Sequence, residues 1–148
     1  MSSNYVVNEV MNFISTEIPT ESAFDITGEY EYFHEFLEDN GITGAWLGVQ
    51  FVGTEEIPIN IGSANTSGKF REIGMFMLHI CERSRLGVGS PIRTRGETLQ
   101  QKFRGMRIGD MIIESVSTPN FESGATLNLD GGYTSATINI HYERDNNL

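Results

Sequence analysis

Apolar residues near the start of the chain recur every three or four positions: Val6, Val10 and Phe13, flanked by Val7 and Ile14. That spacing gathers them on one face of a helix, and Ser3 stands where its hydroxyl can cap the first free N–H groups. The pattern predicts a helix over roughly 4–15, ending before Pro19. A shorter stripe of Tyr30, Phe33 and Leu37 follows in the run EYEYFHEFLED, with Asn40-Gly41 as a C-terminal stop, and predicts a second helix. From Ala45 the period drops to two. Ala45, Leu47, Val49 and Phe51 alternate with Trp46, Gly48, Gln50 and Val52, which predicts a strand. Ile57, Ile59 and Ile61 alternate with Pro58, Asn60 and Gly62 in another; Pro58 has no N–H to donate and favours a sheet edge or a strand start.

A polar loop, Ser63 to Gly68, precedes the longest apolar run, Phe70 to Arg83, nearly continuous from Ile73 to Ile80. Such a run suits a central strand covered on both faces. Ser90 as N-cap and Pro91 at the first helical position predict a helix over about 91–104, closed by Gly105. Ile92, Leu99 and Phe103 face the sheet in this reading, while Arg93, Arg95, Gln100, Lys102 and Arg104 form one basic surface. Gly96 weakens the helix by roughly 1 kcal/mol relative to alanine, which points to a close approach to the strands. Asp110–Ser117 and Thr134–Glu143 are the last strands, the second with Thr134, Ala136, Ile138, Ile140 and Tyr142 on one face; Asp130-Gly131-Gly132 lies between them as a turn or loop.

The order helix, helix, strands, helix, strands predicts an α+β fold: a mostly antiparallel sheet with helices packed on one face. With 148 residues and 39% hydrophobic content the chain suits one domain, 1–148, with a helical part over 1–44 and sheet plus helix over 45–145. No stretch reaches the roughly 18 apolar residues of a membrane span, and the first residues lack the basic and apolar run of an export signal. A soluble protein made in a reducing cytoplasm is expected, since the single cysteine, Cys81, cannot form an internal disulfide.

Charge changes the picture more than composition does. The net charge is −10, yet residues 1–68 hold eleven acidic side chains and no lysine or arginine, while nine of the ten basic residues fall between Lys69 and Arg107. A solvated acidic face explains such a bias in a monomer. In a self-assembling subunit the acidic part of one copy can meet the basic part of the next, which steers association and fixes register.

Candidate chemistry is sparse. Gly87-Val88-Gly89-Ser90-Pro91 resembles a phosphate-cradling turn only in outline: no third glycine and no Lys-Ser/Thr pair follows, so an ordinary strand-to-helix turn is the better reading. His79 and Cys81 share a strand face, but two ligands make no metal site, and a hydrogen-bonded core histidine beside a buried cysteine is expected instead. Glu55-Glu56 and Glu29, Glu31, Glu35 and Glu38 lack the loop pattern of a calcium site and read as acidic surface. There is no nucleophile elbow and no Cys-His motif in a family-like context. The strongest electrostatic feature is Arg83, Arg85, Arg93, Arg95, Lys102, Arg104 and Arg107. Nucleic acid is one partner for it; against that stand the acidic total and the lack of interleaved aromatics apart from Phe103, so a subunit contact or a plain solvated role ranks above DNA.

Several segments together resemble a known family. A strand beginning Gly44-Ala45-Trp46-Leu47-Gly48-Val49, the run Phe70-Arg71-Glu72-Ile73-Gly74 opening a long apolar strand, a Gly-rich turn into a helix and a closing His141-Tyr142-Glu143-Arg144-Asp145 are similar to the tail terminators of long-tailed bacteriophages. The resemblance covers about two-thirds of the chain and lies in element order and short motifs. It implies a structural virion protein, made in the host cytoplasm, that forms a ring, commonly a hexamer, on the last ring of tail-tube protein. Such a ring stops tube growth and presents a surface to a head-completion or neck protein. Its partners are itself and those two neighbours. DNA passes through the lumen unread, and an acidic lumen repels phosphates within a screening length of about 8 Å. No enzyme activity, cofactor or metal is implied, and Arg83, Arg85, Arg93, Arg95, Arg104 and Arg107 become candidate subunit contacts. The alternatives are another neck or tail-tube component, and a small cytoplasmic ligand-binding or enzymatic domain built around the Gly87–Pro91 turn.

Overall fold

Ser3 caps the first helix in the computed structural model, which describes residues 3–28, 33–58, 69–82, 91–120 and 134–147. Its hydroxyl accepts from the Val6 N–H at 3.3 Å, and helix α1 runs Asn4–Glu17, two residues past the expected end and stopped just before Pro19. Val6, Val10 and Ile14 are its buried stripe. Strand β1, Ala23–Asp25, follows, then helix α2, Phe33–Asp39. Next come strands β2, Trp46–Phe51, β3, Glu55–Pro58, and β4, Lys69–Glu82. Helix α3, Pro91–Phe103, ends at Gly105, whose φ of 69° is the left-handed conformation that terminates helices. Strands β5, Arg107–Ile108, β6, Met111–Val116, and β7, Thr134–Asn147, complete the chain.

The seven strands form one sheet in the order β1-β2-β4-β7-β6-β5, with β3 also paired to β4. Every pairing is antiparallel except β1 with β2. The fold is therefore α+β with a mostly antiparallel sheet. β4 and β7 pair over their whole fourteen-residue length and form its spine. β2 pairs with one half of β4, Trp46 opposite Cys81 through Phe51 opposite Phe76; β3 pairs with the other half, Glu55 opposite Ile73 through Pro58 opposite Phe70. The register of β6 on β7 slips between Ile113 and Ser115, a bulge that leaves both Glu114 and Ser115 exposed.

One face of the sheet carries the main core. Leu47, Val49 and Phe51 of β2, Phe76, Leu78 and Ile80 of β4, and Ala136, Ile138, Ile140 and Tyr142 of β7 meet the buried stripes of α1 and α3. Phe76 is the hub, with ring centroids 5.9 Å from Phe51, 5.8 Å from Phe103 and 6.1 Å from Tyr142.

Four expectations need correction. Helices do not all pack on one face: Leu37 of α2 joins Ile26, Trp46 and Cys81 in a second core on the opposite face, with Phe36 and Phe24 against the Trp46 ring. Trp46 and Cys81 alternate with Leu47 and Ile80, so strand geometry alone assigns them to that other side. The 1–44 part is not purely helical, because Ala23–Asp25 pairs in parallel with Leu47–Val49. β4 is not covered on both faces throughout: Ile73, Met75 and Met77 are only half-buried, and full burial on both sides begins at Leu78. β3 is described from Glu55 to Pro58 and so begins two residues before Ile57, which means that Pro58 is not at its start; Ile59 and Ile61 lie outside the described residues. So do Tyr30, the loop 63–68, the turn 87–90 and Asp130-Gly131-Gly132.

Gly74 shows why one strand position tolerates no side chain. It lies opposite Tyr142, and a Cβ there would stand 2.5 Å from the tyrosine Oη and 2.6 Å from Cζ. Gly74→Ala is expected to destabilise the fold by about 1–3 kcal/mol through overpacking. Urea unfolding reads this directly, and an unchanged midpoint would mean that the Tyr142 ring swings clear. Gly96 is explained similarly, although its nearest obstacle is the Pro119 ring, 2.6 Å from an added Cβ, with the strand residue Ile80 farther at 3.4 Å.

Candidate functional site

The expected basic surface is divided by the fold. Ile92, Gly96, Leu99 and Phe103 are the buried residues of α3. Arg95 follows Ile92 by three positions and precedes Leu99 by four, so helical geometry puts it at the margin of that buried stripe. It turns inward. Its Nε donates to Glu21 Oε1 at 2.9 Å and its Nη2 to Glu21 Oε2. Nη1 donates to Glu82 Oε1 at 2.8 Å and to the Cys81 carbonyl at 2.9 Å, and Nη2 also reaches the Trp46 carbonyl at 3.1 Å. Burial opposes the guanidinium's charge; hydrogen bonds and attraction from Glu21 and Glu82 outweigh it and hold the pKa above its usual value. Arg95 is thus a clamp joining α3, the segment after α1 and the ends of β2 and β4. It is removed from the candidate subunit contacts.

Of the other candidates, Arg83 and Arg85 lie outside the described residues. Arg93 is exposed on α3 and lines a groove of about 250 Å³ with Glu97, Gln100, Thr118 and Pro119. Lys102, Arg104 and Arg107 are exposed around the C-terminal end of α3 and on β5. Among the described residues these last three enter no ion pair. Lys102 and Arg104 are the surviving basic patch, smaller than the sequence implied; Arg107 pairs with Ile112 and alternates with the core residue Ile108, so it points to the other face of the sheet.

A second charged region escaped the sequence reading. At the far end of the sheet Arg71 pairs with Asp145 at 3.0 Å, and Arg144 with Glu72 at 3.3 Å. The Arg144 guanidinium also lies over the Tyr5 ring, 4.0 Å from its centroid, tying β7 to α1. A cleft of about 280 Å³ opens there, lined by Arg71, Arg107, Asp110, Glu143, Arg144 and Asp145 with Ile112. Three cations face three carboxylates, so the cleft offers an anion no net positive hole. A hydrogen bond with Glu143 holds the Glu114 carboxyl above its ordinary range. The signal for these pairs lay in the Phe70–Gly74 and His141–Asp145 motifs, but their adjacency depends on β4–β7 pairing, which no local pattern reveals.

His79 and Cys81 are structural, as expected. His79 is 2% exposed; its Nδ1 lies 2.9 Å from Thr137 Oγ1 and its Nε2 2.8 Å from Gln50 Oε1. Burial lowers its pKa to about 4 and raises that of the Cys81 thiol. Among the described residues no group of three His, Cys, Asp or Glu could hold a metal ion, and no helix is long and apolar enough to cross a membrane. What the exposed arrangement can do chemically is bind a complementary charged surface. No protein-family model matches the chain, and none of the curated proteins compared with it matches either.

Proposed function

We propose that this chain is the ring-forming structural subunit that closes the tail tube of a long-tailed bacteriophage. It ends tube growth, contacts the last ring of tail-tube protein on one side and offers a head-completion or neck protein a surface on the other. It works in the virion, without catalysis or cofactor, and the genome passes through its lumen without being read.

One observation supports this reading above others. The most characteristic segment of the resemblance, Phe70–Gly74, faces the closing segment His141–Asp145 on the adjacent strand, with Arg71 opposite Asp145, Glu72 opposite Arg144 and Gly74 opposite Tyr142. Two of those rungs are ion pairs, each linking residues more than 70 positions apart in sequence. The motifs are therefore one structural unit of the sheet spine, which is a stronger basis for likeness than two separate short matches. The Trp46–Phe51 strand and the Pro91–Phe103 helix flank the same spine on the β2 side and the main-core face.

The test is the assembly state. Sedimentation velocity and negative-stain electron microscopy of the purified protein, alone and mixed with tail tubes, are expected to show closed rings with a central hole wide enough for duplex DNA. A chain that stays monomeric in both conditions overturns the proposal. Open polymers in place of closed rings would favour a tail-tube component.

A further inference from the structure

The charge segregation of the sequence becomes a spatial separation in the fold. α2 packs through Leu37 on the face of Trp46 and Cys81, and leaves Glu38 and Asp39 exposed. α3 packs on the opposite face, over Phe76, Leu78 and Ile80, and its C-terminal end leaves Lys102 and Arg104 exposed. A sheet and the helices on each side of it lie between the two patches. Layers pack about 10 Å apart, so the patches are separated by more than one screening length and cannot neutralise each other within a subunit. The cations that pair internally are others: Arg95 with Glu21 and Glu82, Arg144 with Glu72, and Arg71 with Asp145.

Two complementary patches on opposite faces fit one kind of contact between identical chains. A two-fold interface uses the same surface on both copies, so patches on opposite faces cannot both enter it, and either one alone would meet its own charge. A heterologous contact brings the basic patch of one copy to the acidic patch of the next and leaves a free patch of each sign for further copies, the arrangement that closes into rings. We infer that the Lys102 and Arg104 patch docks the α2 surface, around Glu38 and Asp39, of a second copy of this chain. This rests on the ring-forming reading above and specifies the surfaces that make the ring. Charge complementarity names this occupant: every copy carries both patches, so a second copy brings the Glu38 and Asp39 carboxylates to Lys102 and Arg104.

Three variants test it: Lys102→Glu with Arg104→Glu, Glu38→Lys with Asp39→Lys, and all four together. All four positions are exposed, and circular dichroism with thermal melting checks that each variant folds; Lys102→Gln with Arg104→Gln is the milder substitute should the reversal impair folding. By sedimentation velocity, each single-patch reversal is expected to raise the concentration needed for assembly at least tenfold. The four-fold variant, which restores opposite charges across the contact, is expected to recover rings. Added salt should dissociate wild-type rings and those of the four-fold variant alike. Single-patch variants that assemble like the wild type, in a protein that does form rings, overturn this contact and leave the ring reading intact. Loss of binding to duplex DNA with unchanged assembly assigns the patch to nucleic acid and overturns it too. A wild-type chain that never assembles overturns both.

Discussion

Arg95→Ala lowers the free energy of unfolding by an expected 3–5 kcal/mol or so, whereas Lys102→Ala, on the same helix, changes it by less than about 0.5 kcal/mol. The contrast follows from where the two cations end up. The side chains of Glu21 and Glu82 are only 8% and 14% exposed, and removal of Arg95 leaves both carboxylates without their counter-charge in a partly desolvated site. Two backbone carbonyls, of Trp46 and Cys81, lose a donor at the same time. Arg95→Lys keeps the charge but not the planar fork that serves four acceptors, so an intermediate loss is expected. Urea unfolding of the three variants beside the wild type measures this. A loss below about 1 kcal/mol for Arg95→Ala would mean that the carboxylates turn to water and that the clamp contributes little.

The second large effect is a loss of stability in mild acid, from His79. Gln50 Oε1 accepts from the Nε2–H of the neutral ring, and Nδ1 is left to accept from the Thr137 hydroxyl. Burial holds the folded pKa near 4, against 6.5 for an exposed histidine. Below pH 6.5 the unfolded chain takes up a proton that folded His79 refuses, so stability falls with pH. The contribution is complete above 6.5 and diminishes progressively as pH drops towards 4, by about 3 kcal/mol between pH 7 and pH 4. His79→Gln removes this share of the pH dependence, although carboxylates add their own in both proteins. Unfolding free energies of the two proteins at pH 7, 5.5 and 4 give the comparison. Parallel curves would refute the assignment to His79.

Where local patterns carry the information, they carried it well. The Ser3 cap, the first helix with Val6 and Val10 buried, the Pro91 start and Gly105 stop of α3, and the alternation of Ala136, Ile138, Ile140 and Tyr142 each reappear; Phe13 is only partly buried, with Ile14 in the buried stripe instead, and Thr134 is half-buried. Ala23–Asp25 was missed because three residues are too few to show a period, and its partner β2 lies more than twenty positions away. The alternation placed Trp46 opposite Leu47 across its strand, but nothing local says that α2 will cover it. Arg95 was misassigned for a different reason. Its spacing from Ile92 and Leu99 was visible, but a charged residue at the edge of an apolar stripe reads as surface until its counter-charges are known, and Glu21 lies 74 positions away.

By itself the sequence determined the longer elements, the α+β class and the unequal distribution of charge, since all three depend on residues close together along the chain. Tertiary structure alone decided which charges remain available. Pairing of β4 with β7 brought Arg71 to Asp145 and Glu72 to Arg144, and the packing of α3 drew Arg95 inward to Glu21 and Glu82. Coulomb attraction acts over a few ångströms whatever the separation in sequence. Only the folded chain shows that Lys102 and Arg104 remain exposed at the end of α3, on the main-core side of the sheet, and the acids of α2 on the other side.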